Sequence, residues 1–192
     1  MSRLKQSLAI ALGALLLAAC NQQTGFQGSD VTGSKFGRDF HLTDHTGKPR
    51  ALADFRGKVV VIFFGYTQCP EECPTTLSRL AAAMQKLGPD AVRVQVLLVT
   101  VDPERDTPQV LSQYVPAFDP TFLGLYGDAA ATAEVAKEFK ILYQKQPGPT
   151  PGTYSMDHST GTFIFDREGR LRVYESYAQG PDALAHDIRA LL

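Results

Sequence analysis

Apolar positions along this chain recur with two different periods, and the period of each stretch predicts what it forms. Lys58 to Phe64 is a run of β-branched and aromatic residues, the pattern of a strand buried on both faces, and Val92 to Val101 is a second run of that kind. Between them Leu77, Leu80, Ala81, Met84 and Leu87 fall at helical spacing, which predicts a helix over Pro74 to Leu87 ended by Gly88-Pro89. Thr107-Pro108 supplies an N-cap and a first-turn proline for a helix to Val115, and Asp128 to Phe139 predicts another. Phe36 to Leu42, with the turn Asp44-His45-Thr46-Gly47-Lys48, suggests an opening hairpin. A loop rich in Pro and Gly from Pro147 to Gly152 leads to Met156-Asp157-His158. Then follow a strand over Thr162 to Phe165, a turn at Asp166 to Gly169, a strand over Arg170 to Tyr174 and a last helix from Pro181. Strand-like and helix-like segments alternate, so the expected fold class is α/β: a central β-sheet flanked by helices, with an N-terminal hairpin extension.

One apolar stretch stands outside this scheme. Leu8 to Leu17 follows Arg3 and Lys5 and ends at Leu17-Ala18-Ala19-Cys20. It is shorter than the roughly 18 residues a membrane-spanning helix needs, and small residues precede the cysteine as at a processing site. Residues 1–19 therefore read as a lipoprotein signal peptide, with Cys20 the lipid-bearing first residue of the mature chain; an uncleaved signal anchor is the alternative. Either way the bulk of the protein is expected outside the cytoplasm, on the periplasmic side and held to a bacterial membrane. Loss of Arg3 and Lys5 leaves 17 basic against 20 acidic side chains, a net charge of −3. No basic stripe remains, which argues against nucleic acid as a partner. Residues 20–35 are rich in Gln, Gly, Ser and Thr and read as a flexible tether, with a single domain over 36–192.

With Cys20 assigned to export, Cys69 and Cys73 are the remaining cysteines, at the turn between a central strand and a helix. That is the sheet edge where α/β folds place ligand sites. If the first helical turn includes Cys69, both sulfurs lie on one face, close enough to hold one metal or to bond to each other. Helix N-termini favour thiolates, whereas the carboxylates of Glu71 and Glu72 oppose them unless a cation is bound. Outside the cytoplasm a structural disulfide is a third reading of the pair.

The candidate third ligand is His158, in a loop before a late strand, with Asp157 a candidate to orient its imidazole. Two thiolates and one imidazole form a soft set suited to copper, as Cu(I) or Cu(II), with zinc a competitor. His41, His45 and His186 fit a strand face, a turn and the terminal helix, and none is taken as a ligand. The loop Asp102-Pro103-Glu104-Arg105-Asp106-Thr107-Pro108 is accounted for by turn and helix-start chemistry, or has a role near the site.

Three segments, FFGYTQCPEECPTTL, VTVDPERDTP and YSMDHSTGTFIFD, resemble the Sco/SenC family of thioredoxin-fold copper proteins associated with cytochrome c oxidase assembly. The resemblance covers nearly all of residues 36–192. It implies a thioredoxin-like fold, one copper per domain held by Cys69, Cys73 and His158, and the loop from Asp102 to Asp106 near the ligand face. It further implies delivery of copper to, or reduction of the thiols of, the CuA site of oxidase subunit II, with a periplasmic copper donor or thiol reductase as a second partner. The competing function is an extracytoplasmic thiol-disulfide oxidoreductase without a metal, in which Cys69 attacks and Cys73 resolves. A peroxidase of the same fold is disfavoured by the flanking glutamates.

Overall fold

The computed structural model describes residues 25–192. Signal residues 1–19 and Cys20 lie outside them. The described chain forms an eight-stranded sheet, a separate two-stranded sheet and helices. In order, the elements are β1 (Ser29–Asp30), β2 (His41–Asp44), β3 (Pro49–Ala51), β4 (Val59–Gly65), α1 (Glu72–Leu87), β5 (Val94–Thr100) and α2 (Pro108–Tyr114). They continue with β6 (Leu123–Tyr126), α3 (Ala129–Glu138), β7 (Tyr143–Pro147), β8 (Tyr154–His158), β9 (Thr162–Phe165), β10 (Leu171–Glu175) and α4 (Pro181–Ala190).

The large sheet runs β1-β10-β9-β4-β5-β6-β2-β3. At its centre β4 pairs in parallel with β5 from Val59↔Val94 to Gly65↔Thr100, and every residue of both strands is buried. This is the signature expected of strands dominated by apolar residues. The antiparallel β9 closes the other side of β4, with Phe63 opposite Thr162. The opening hairpin exists as β2–β3, placed at His41–Asp44 and Pro49–Ala51 rather than from Phe36, and it joins the far edge through β6. Asp44 explains its turn, since its buried carboxylate accepts from the Thr46 and Lys48 N–H groups and from Arg50.

Two expectations are corrected. The tether reading does not hold for the whole of residues 20–35: Ser29–Asp30 pairs with Tyr174 and Val173 of β10, and the Gln27 and Gly28 N–H groups donate to Asp187 on α4. The backbone of the segment does the docking and, among its described residues, only Phe26 and Val31 pack against the core, so hydropathy alone did not reveal it. The first long helix starts at Glu72, not at Pro74, and Cys69 lies ahead of it. Pro74 sits inside the first turn, where its missing N–H costs nothing. Thr107, by contrast, caps α2 as expected, accepting from Val110 N–H at 3.3 Å.

Candidate metal centre

The site forms at the carboxyl end of β4. Gly65 ends that strand, and a Cβ there would stand 2.8 Å from Cys73 Sγ and 2.8 Å from the Phe63 ring, so only glycine lets the cysteine settle on the sheet. Tyr66 and Thr67 lead into a turn in which Cys69 N–H donates to Tyr66 O, and the chain enters α1 with Cys73 in its first turn. Cys73 is completely buried and Cys69 half-buried, and both are free thiols. The backbone N–H of Cys73 donates to Cys69 Sγ at 3.3 Å.

His158 closes the arrangement from β8, the strand that pairs with β7 outside the main sheet. Its Nδ1 lies 2.9 Å from Ser159 O. A carbonyl only accepts, so Nδ1 carries the proton and the Nε2 lone pair faces Cys73 Sγ, 3.4 Å away. The imidazole stands edge-on to Tyr66 and near Phe63, with ring centroids at 5.8 and 6.3 Å. One ligand atom from each of Cys69, Cys73 and His158 lies within 4.8 Å of the others, a spacing that one metal ion can bridge.

The thiols differ sharply. Hydrogen bonding from the Cys73 thiol, aided by the Cys73 and Glu71 N–H groups, brings Cys69 down to about 5 against the opposing effect of burial. The same shared proton, together with burial, pushes Cys73 well up, and Glu72 adds to the rise. The pair therefore holds one proton near neutral pH. The expectation that both glutamates suppress thiolates is thus correct for Glu72 at Cys73 and wrong at Cys69, where Glu71 contributes its N–H rather than its carboxylate.

Asp157 does not orient the imidazole. Adjacent strand residues point to opposite faces, and Asp157 is exposed and accepts from Gln146 across the hairpin, leaving the Ser159 carbonyl as the partner of His158. The remaining histidines take no part: His45 Nδ1 accepts from Gly124 N–H, His41 lies beside Asp39, and His186 beside Asp187.

A sequence profile of the SCO1/SenC family matches residues 29–192. The chain belongs to the SCO1/SenC family. Among solved members, apo Sco1 of Thermus thermophilus superposes with a TM-score of 0.79 at 43% identity, covering 90% of this chain and 100% of that one. ScoI of Bradyrhizobium japonicum, solved with copper bound, gives 0.75 at 38% identity over 82% of this chain and 99% of that one. The bovine mitochondrial protein SCO2 homolog is 37% identical over 153 residues, 79% of this chain but 58% of its own length. The chain thus spans less than two thirds of that mammalian relative. The fold is the thioredoxin-like one that the motifs imply.

The resemblance placed the loop from Asp102 to Asp106 near the candidate site, and it lies there; the contacts it makes were not read from the sequence. The loop after β5 fastens the cysteine turn: the buried Asp106 carboxylate accepts from Thr67 N–H, Thr67 Oγ1 at 2.6 Å and Thr100 Oγ1 at 2.6 Å. Burial holds Asp106 above the usual carboxylate range despite these donors. Tyr66 accepts from Met156 N–H through its hydroxyl at 3.3 Å, linking the strand end to the histidine strand. The Asp-Pro motif after a buried strand was the signal for the first of these; nothing local marks Tyr66.

Proposed function

We propose that the protein is a copper metallochaperone in which Cys69, Cys73 and His158 hold one copper ion. The observation that carries this reading is the convergence of two sulfurs and an imidazole nitrogen within 4.8 Å at the edge of a rigid sheet. Two soft thiolates select Cu(I), and the imidazole makes Cu(II) tolerable as well. A three-ligand set leaves room for a partner's ligand to approach, so the ion passes by ligand exchange and no turnover is required. The recipient under this reading is the CuA site of cytochrome c oxidase subunit II. The site works outside the cytoplasm, on a lipid anchor at Cys20; among the described residues no helix is long and apolar enough to cross a membrane.

A second reading has its own support. Cys69 is the accessible, low-pKa thiol and Cys73 the buried, protonated one, which is the division of labour of an attacking and a resolving cysteine. Reduction of a partner's disulfide would leave Cys69 and Cys73 oxidised to each other, and a reductant would then have to restore both thiols before copper is loaded.

The test is a copper titration of the reduced full chain beside His158→Ala, read by metal analysis and electron paramagnetic resonance. One copper per chain, with a thiolate-type Cu(II) signal that disappears in the variant, is expected. No retained copper in either protein, with rapid reduction of a disulfide substrate, would transfer the assignment to the second reading.

A further inference from the structure

His158 is carried by the β7–β8 hairpin, which shares no strand pairing with the main sheet. Among the described residues, four side-chain hydrogen bonds tie that hairpin to the body, apart from the contact of His158 with Cys73. One is Met156 N–H to Tyr66. The other three end on the loop after β5: Lys145 donates to Glu104, the Tyr154 hydroxyl donates to Asp102 at 2.8 Å, and Arg105 Nη1 donates to Tyr154 O at 2.8 Å. Arg105 is the member that also reaches the cysteines. Its Nη1 donates to Oε1 of Gln68, the residue before Cys69, at 3.1 Å. Its guanidinium lies 3.6 Å from the centre of the Tyr154 ring and 5.7 Å from that of Tyr66, and its Nε is paired with Asp102.

We infer that Arg105 is a positioning residue for the metal centre, joining the cysteine turn to the histidine hairpin and thereby setting the reach between the imidazole and the thiols. The inference rests on the metal-centre reading above. No ligand atom comes from Arg105; it acts through Gln68 and Tyr154. The guanidinium suits this task because a planar fork can stack on an aromatic ring and donate in several in-plane directions at once. A lysine keeps the charge but supplies neither the fork nor the stack, so Arg105→Lys isolates geometry from electrostatics.

The experiment compares full-length wild type, Arg105→Lys and Gln68→Ala. The metal-free proteins are examined by amide hydrogen exchange, and the copper-loaded ones by Cu(II) paramagnetic resonance and by Cu(I) competition with a chromophoric chelator. In Arg105→Lys, Met156 and Tyr154 are expected to exchange faster while Val61 and Leu98 of the main sheet do not change. Copper affinity should fall about tenfold, the lower end of what outer groups around a metal contribute, with a Cu(II) spectrum of altered nitrogen coupling. Gln68→Ala removes only the cysteine-side arm and should show the spectral change with the hairpin still protected. Hairpin exchange, spectrum and affinity all as in wild type would overturn the inference, even if thermal stability fell. If wild type retains no copper, the copper reading fails by itself; hairpin protection in metal-free Arg105→Lys then still decides whether the residue joins the two segments.

Discussion

The two halves of the candidate centre are built in different ways. Cys73 stands on a helix packed against the central strands, its sulfur buried over Gly65, and the turn before it is locked by Asp106. His158 stands on a two-stranded sheet held to the body by a handful of side-chain hydrogen bonds and by one side chain sunk in the core, Met156. A continuous ladder of backbone bonds and extensive buried apolar area defend the first half; a few hydrogen bonds of about 1 kcal/mol each and the burial of Met156 defend the second. The difference teaches that the thiols form the fixed part of the site and the imidazole the part whose position is adjustable.

The largest effect expected from this contrast is on metal retention. Cys73→Ser should cost copper(I) affinity on the order of 100-fold or more, exceeding the loss in His158→Ala, because a hydroxyl is a poor ligand for a soft ion. Chelator competition on both variants checks this, and a greater loss from His158→Ala would reverse the ranking of the halves. Next comes Gly65→Ala, which places a methyl against Cys73 Sγ and the Phe63 ring. Overpacking there should destabilise the protein by roughly 1–3 kcal/mol in denaturant unfolding and lower copper stoichiometry together with stability. Unaltered unfolding would mean that the cysteine half is softer than described.

The smallest effect on copper lies away from both halves. Glu175 on β10 is buried beside Asp187 and against the Gly28 backbone; burial, and then Asp187, push it up to about 8. Its folded-state value therefore lies above the ordinary 4.5, so the folded chain binds this proton more tightly than the unfolded one. The resulting stability is complete below pH 4.5 and is lost as pH rises through about 8. Glu175→Gln should flatten that decline, by at most about 1.4 kcal/mol per pH unit, in thermal melts across pH 5 to 8. Copper affinity should not follow, and if it did, the sheet edge and the site would be energetically linked.

The sheet was largely legible because β4 is an unbroken apolar run, β5 is apolar but for Gln95 and Thr100, and α1 repeats Leu77, Leu80 and Met84 at helical spacing. The hairpin was not. Tyr143 to Pro147 reads Tyr-Gln-Lys-Gln-Pro, and a ribbon wet on much of its surface shows no alternation to detect. For the same reason His158 was expected in a loop and lies at the end of a strand. The short β6, Leu-Gly-Leu-Tyr, is centred on a glycine that packs against Val115 and Leu111, a close approach visible only in three dimensions. The three residues that converge at the candidate centre were legible from their types and from the resemblance of three motifs. Their supports were not, since Arg105, Tyr66 and Tyr154 act across gaps of dozens of residues, and Asp157 was misassigned because proximity in sequence means opposite faces in a strand.

The docking of Gln27 and Gly28 onto Asp187 also sets a length. Seven peptide units separate Cys20 from Gln27, which fully extended span at most about 25 Å. With a lipid at Cys20, that span would set how far the domain can stand from the membrane, a shorter reach than residues 20–35 would allow if none of them were docked. A recipient would then have to present its own site within a shallow layer above the bilayer, and distance from the membrane would help to decide which proteins this one could serve.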